Sequence, residues 1–202
     1  MFVWLASYPK SGNTLVRSLL GAYFFSKDGN FNFDLIKNIK QFPHAGLFEA
    51  LGLDLKNEKE LIKNYIKAQE SINQKNIVQF LKTHSYLFNI EGNGFTDLNN
   101  SLGVVYIVIT KAVDHLIHST HIGGIEKSHD KEEIIKTYTG TWNGNYNSWK
   151  SFKSNEKYLL IKYEDLIFNK EESLKKILKF IHKLKNIKFE INEVKFKNVI
   201  ES

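Results

Sequence analysis

Between residues 7 and 20 the chain reads SYPKSGNTLVRSLL, a run that brings an ammonium, hydroxyls, a glycine and a side-chain amide into one tight turn. Pro9 fixes φ and removes a backbone donor, and Gly12 lets the main chain approach a ligand closely. Backbone N–H groups can then wrap an oxyanion, with Ser11 and Thr14 adding hydroxyls and Lys10 adding charge. That is the chemistry of a phosphate or sulfate cradle. The order differs from the nucleotide triphosphatase loop G-x-x-x-x-G-K-[ST], because Lys10 precedes the glycine instead of following it. The sequence has no cysteine, which removes disulfides, thiolate metal sites and a thiol nucleophile, so any reaction falls to histidine, lysine, carboxylate or hydroxyl groups. A second polar cluster, Lys82-Thr83-His84, follows an apolar run. His115 and His118 share a helical face near His121, yet no carboxylate stands at a matching spacing, and they read as solvated or partly packed rather than as metal ligands. Trp142, Tyr146 and Trp149 recur at i, i+4 and i+7, the mark of either a buried helix stripe or an aromatic wall of an acceptor cleft.

Elements that could position these groups alternate along the chain. Residues 2–7 read as a strand, and Leu15, Leu19, Leu20, Tyr23 and Phe24 then recur at helical spacing, so a helix opens near Gly12 to Thr14. An irregular insert over 26–55 follows, with the character of a cap or substrate-side loop. Leu61, Ile62, Tyr65 and Ile66 mark a second helix, and 77–81 a strand that ends at the Lys-Thr-His cluster. A turn-rich stretch leads to 104–109, the most strand-like segment, expected in mid-sheet. Helices are expected over 112–120 and 131–152, a further strand over 158–162, and a last helix carrying Leu174, Ile177, Leu178 and Ile181. This alternation predicts one α/β domain over 1–202 with a mainly parallel sheet. In such sheets ligands sit at the carboxyl ends of the strands, which is where Lys10 to Thr14 falls.

Composition narrows the function classes. Hydrophobic residues make up 42% and aromatics 13% of 202 residues, which suits a packed core and excludes a disordered or collagen-like chain. No apolar run nears the roughly 20 residues of a membrane helix, and no basic region precedes the apolar start, so no signal peptide is expected and the cytoplasm is the default location. The net charge of +6 suits an anionic ligand, although much of the excess lies in lysines after residue 170 that read as a solvated helix face. Those lysines are not interleaved with aromatics, so nucleic acid is not an expected partner.

The loop resembles the 5′-phosphosulfate loop of PAPS-dependent sulfotransferases, usually written YPKSGTTWL. The likeness extends to FLKTHS at 80–85, similar to the family's LLKTHLP, to VVYIV at 104–108, similar to the strand before its 3′-phosphate motif, and to YLLIKYEDL at 158–166, similar to its VVRYEDL strand. The resemblance implies a P-loop NTPase-like three-layer fold with a central parallel sheet, and PAPS as co-substrate without a metal. Lys10, Ser11, Gly12, Asn13, Thr14 and Leu15 would hold the phosphosulfate, with Lys10 stabilising charge on the bridging oxygen. His84 would take the acceptor's proton, Lys82 would support the site, and Tyr163 would lie near the adenine. The acceptor would be a hydroxyl, or an amine, on a small molecule or glycan. These roles suit sulfuryl transfer, which needs an in-line acceptor, positive charge on the leaving phosphate and a base near neutrality.

Two departures from the family stand out. Its strand continues as R-[DN]-P-R-D-V-x-x-S, whose arginine and serine bind the 3′-phosphate, whereas an ungapped match puts Ile109 and Ile117 there; a local shift would instead offer Lys111 or Ser119. The family's later R-K-G-x-x-G-D-W segment has no counterpart before Ser202. Both departures bear on a competing reading, a non-catalytic relative that keeps the anion loop and binds a nucleotide or a partner. A kinase-like enzyme is a third reading, opposed by the lysine-before-glycine order.

Overall fold

The computed structural model describes residues 1–74, 77–110 and 138–202. Its centre is β1 (Phe2–Ser7), six residues with every side chain buried. On one side β1 pairs with β3 (Gln79–Thr83), and on the other with β6 (Ser101–Val108), both parallel. The short β2 (Lys40–Gln41) and β7 (Tyr158–Lys162) form the outer strands, giving a five-stranded parallel sheet in the order β2-β3-β1-β6-β7. A separate antiparallel ribbon joins β4 (Asn89–Ile90) to β5 (Asn93–Gly94).

A strand buried on both faces alternates its side chains between two cores. Val3 and Leu5 of β1 join one cluster, with Val105 and Ile107 of β6; Phe2, Trp4 and Ala6 join the other, with Val104 and Tyr106. The first core is closed by α1 (Asn13–Phe25), α7 (Lys170–Leu184) and α8 (Glu193–Glu201), through residues such as Leu20, Ile177 and Val199. The second is closed by α2 (Ala45–Glu49), α3 (Glu58–Lys63), α4 (Tyr65–Ile72) and the segment from α5 (Trp142–Ser148) into a 3-10 helix (Trp149–Asn155). It is rich in rings: Trp4 lies 5.2 Å from Phe95 and 6.1 Å from Trp149 between centroids. Full burial of one such large side chain contributes about 1.5–3 kcal/mol. The α6 turn (Tyr163–Phe168) follows β7.

The α/β class and parallel sheet agree with the sequence reading, and several boundaries do not. The strand expected over 77–81 lies at Gln79–Thr83, because its register is set by β1, with Phe2 opposite Gln79 and Ala6 opposite Thr83; Ile77 stays 54% exposed. Lys82 and Thr83 are therefore inside the strand rather than after it. The insert over 26–55 is less irregular than its sequence suggests. It carries a 3-10 helix (Phe33–Asn38), β2 and α2, and buries Ile39, Phe42 and Phe48 completely. Of the helix expected over 131–152, residues 131–137 lie outside the described residues, and among the described ones the α-helix covers Trp142–Ser148, in a stretch of asparagine and glycine that are weak helix formers. Trp149 is fully buried, with Trp142 and Tyr146 packed against the same core, which answers the stripe-or-cleft question in favour of the core. The expected helix over 112–120, with His115, His118, His121, Lys111, Ile117 and Ser119, lies outside the described residues.

Candidate functional site

The carboxyl ends of β1 and β3 stand side by side, and the chain leaving β1 turns through Tyr8-Pro9-Lys10-Ser11-Gly12 into α1. Lys10 takes φ 63° and Gly12 φ 90°, two left-handed residues within three. For lysine that conformation is uncommon and worth about 1–3 kcal/mol of strain, the kind of backbone that clusters at binding loops. Gly12 has no alternative, since a Cβ there would lie 2.3 Å from Cδ2 of Tyr163. The Tyr163 ring, at the start of α6, thus lies directly on the loop.

The loop leaves α1 open at its positive end. Gly12 caps the helix without a side-chain hydrogen bond, and the first turn holds no acidic residue. Asn13, which could have capped locally, points back: Nδ2 donates to the Leu5 carbonyl at 2.9 Å and to Ser7 Oγ at 3.2 Å. Ser11 is fully buried, and its Oγ has no hydrogen-bond partner among the described residues. A helix start without a side-chain cap, its positive end and, among the described residues, an orphaned hydroxyl are what an anion requires.

His84, 7% exposed, follows β3 and meets Ser7 across the sheet. Its Nδ1 lies 2.9 Å from the Ser7 carbonyl and 3.1 Å from Ser7 Oγ. A carbonyl oxygen only accepts, so this contact makes Nδ1 a donor, and in a neutral ring the lone pair then falls on Nε2. Lys82, 9% exposed, donates Nζ to Gln41 Oε1 on β2 at 2.8 Å. Pro9, Lys10, Gly12, Asn13, Thr14, Leu15, Lys82, His84 and Tyr163 together line one cavity of about 560 Å³. Two ammonium groups line it and, among the described residues, no carboxylate does.

The loop residues picked out by sequence, with Lys82, His84 and Tyr163, therefore line one cavity, except Ser11, which is fully buried and not part of the lining. At the end of β6, Ile109 is half-buried, and the carboxylate of Glu164 accepts from both the amide and the hydroxyl of Thr110, at 2.8 and 2.9 Å. Ser7, Gln41 and Asn145, all bonded to site residues, and Tyr106, bonded to Asn145, were not singled out by sequence; Ser7 and Tyr106 lie inside quoted segments, but only the tertiary contacts show what they hold. Among the described residues no group of three histidine, cysteine, aspartate or glutamate side chains could hold a metal ion, and no described helix is long and apolar enough to cross a membrane.

The sulfotransferase domain family matches residues 2–199. The chain belongs to that family. Among solved structures it is similar to mouse sulfotransferase SULT7A1 complexed with PAP, at 18% identity and a TM-score of 0.54. It is also similar to retinol dehydratase, in complex with androsterone and inactive cofactor PAP at 15% identity and a TM-score of 0.55, and with retinol and PAP at 14% and 0.56. In each case 99% of this chain is covered, while it spans only 63–64% of the other. A search among curated proteins finds no match. At these identities the likeness carries the fold: a sulfotransferase-type, P-loop-like α/β architecture built on the parallel sheet.

Proposed function

We propose that this sulfotransferase-family chain transfers the sulfuryl group of PAPS to a hydroxyl or amine of a small molecule or glycan. The observation that carries the reading is the pairing, in one cavity, of an uncapped helix start bearing Lys10 with a histidine whose Nδ1 is held by the Ser7 carbonyl. Lys10, Gly12, Asn13, Thr14 and Leu15 would hold the 5′-phosphosulfate with main-chain amides and charge, helped by Ser11 Oγ beneath them. Tyr163 would flank the adenine. The donor supplies a sulfur–oxygen bond whose cleavage leaves the electron pair on a phosphate oxygen of PAP. His84 Nε2 would take the acceptor's proton as the acceptor atom bonds to sulfur, and Lys10 would offset the charge gathering on that phosphate oxygen. Lys82, tied to Gln41, would add positive potential on the far wall.

One observation favours the competing, non-catalytic reading. An ungapped match puts Ile109 where the family has the arginine for the 3′-phosphate, and the neighbouring Thr110 amide is taken by Glu164. A titration with PAP, PAPS and Mg-ATP, repeated with Lys10→Ala and His84→Ala, separates these. Transfer requires PAPS binding that Lys10→Ala weakens, and a His84→Ala protein that binds but does not turn over. Undetectable PAP and PAPS binding would favour the non-catalytic relative, and tight magnesium-dependent ATP binding a kinase-like enzyme.

A further inference from the structure

Asn145, on α5, is fully buried, and each polar atom of its side chain is engaged. Nδ2 donates to the main-chain oxygen of His84 at 2.8 Å and to that of Thr139 at 2.9 Å, while Oδ1 accepts from the Tyr106 hydroxyl at 2.8 Å. Carbonyls only accept, so turning the amide over would set Oδ1 against two of them; the network fixes its orientation. Tyr106 carries the connection onward, for in the parallel pairing of β6 with β1 it lies opposite Ala6, two residues before Tyr8. Burial pushes this phenol far above the ordinary tyrosine range and keeps it a donor. Asn145 thus ties the main chain of His84 to β6, next to the strand that feeds the loop. The end of the helix grips the next residues: Trp149 Nε1 donates to the Ser85 carbonyl at 3.0 Å, and Ser148 Oγ accepts from the Leu87 amide at 2.8 Å.

We propose that Asn145 is a positioning residue: by holding the His84 carbonyl and, through Tyr106, the strand β6 beside the β1 residues that lead into the loop, it sets the imidazole's distance from the loop and keeps Nδ1 on the Ser7 carbonyl. The role rests on the reading of His84 as the base. A side chain hydrogen-bonded through its own main chain moves when that main chain moves, and a displacement of about 1 Å at a reacting group costs on the order of 100-fold in rate.

The test reads the His84 tautomer by ¹⁵N NMR of ligand-free, histidine-labelled protein, alongside kcat with PAPS and the Kd of PAP. The wild-type spectrum should show a protonated Nδ1. Asn145→Asp keeps the size and the acceptor for Tyr106 but turns oxygen toward two carbonyls. It should give a mixed or reversed tautomer and a kcat roughly 10–100-fold lower, with the PAP Kd within about threefold of wild type. Tyr106→Phe leaves both Nδ2 bonds, so it should retain the tautomer and lose less than about tenfold in kcat. If Asn145→Asp does not fold, Asn145→Ser makes the same comparison. A wild-type proton on Nε2, a folded variant with wild-type tautomer and kcat, or an equal loss of PAP binding and kcat would each overturn the role. The tautomer needs no ligand, so the two ideas fail separately. An Asn145-dependent tautomer without PAPS turnover sinks only the transferase reading, and turnover indifferent to Asn145 sinks only the positioning role.

Discussion

Replacing Gly12 by alanine imposes two separable penalties on the anion loop. The first is backbone: at φ 90° an L-residue sits in left-handed territory that costs it about 1–2 kcal/mol. The second is steric, because the new Cβ would lie 2.3 Å from Cδ2 and 2.9 Å from Cε2 of Tyr163, so the ring must withdraw by about 1 Å to reach ordinary contact. In a chain of 202 residues each kcal/mol lowers Tm by about 2–4 °C, and the backbone penalty alone amounts to about 2–8 °C. On the proposed role of Tyr163 beside the adenine, a ring pushed off the cavity would also lose its face against a bound base, about 1–3 kcal/mol or roughly 5- to 150-fold in the Kd for PAP. Thermal melts and calorimetric titration of Gly12→Ala, Tyr163→Ala and the double variant measure both effects. The double variant should melt above the sum of the single losses, since removing the ring relieves the clash but not the φ penalty. Wild-type Tm and PAP affinity in Gly12→Ala, or strict additivity, would refute the argument.

Lys10→Ala should weaken PAPS binding by about 1.5–3 kcal/mol, roughly 10- to 150-fold, and the difference should shrink at high salt in the same titration. Alkaline stability should follow the buried tyrosines. Burial drives Tyr65 and Tyr106 above their ordinary range, so the fold keeps them protonated while the unfolded chain ionises near pH 10. Stability therefore falls as pH rises beyond about 10, toward the folded values, and tyrosinate absorbance should show both groups ionising only with unfolding. Early ionisation in the folded protein would contradict their burial. Lys195 donates Nζ to the Tyr23 and Ser26 carbonyls at the end of α1, at 3.3 and 2.7 Å; Lys195→Met should cost about 0.3–1 kcal/mol, or a Tm lower by about 1–4 °C.

The strand, turn and helix start around Lys10, the other strands and the Lys-Thr-His cluster were legible in the sequence because each is local: strand, turn and helix start lie within a dozen residues, and their geometry depends on φ and on nearby side chains. Other features depended on strand register and remote packing. His84 acquires its proton position only because β3 lies parallel to β1 and brings a carbonyl 77 residues away to within 2.9 Å. Register likewise put Lys82 inside β3 and gave it Gln41, a residue of an insert that looked like a loose loop and proved to carry core aromatics. Asn145 reads as one asparagine among several in a weakly helical stretch until its amide is found between the His84 carbonyl and the Tyr106 hydroxyl. Residue types and spacing determined what chemistry this chain can offer. Tertiary structure decided which groups face one another, because a hydrogen bond depends on distance and direction between segments that the linear order keeps far apart.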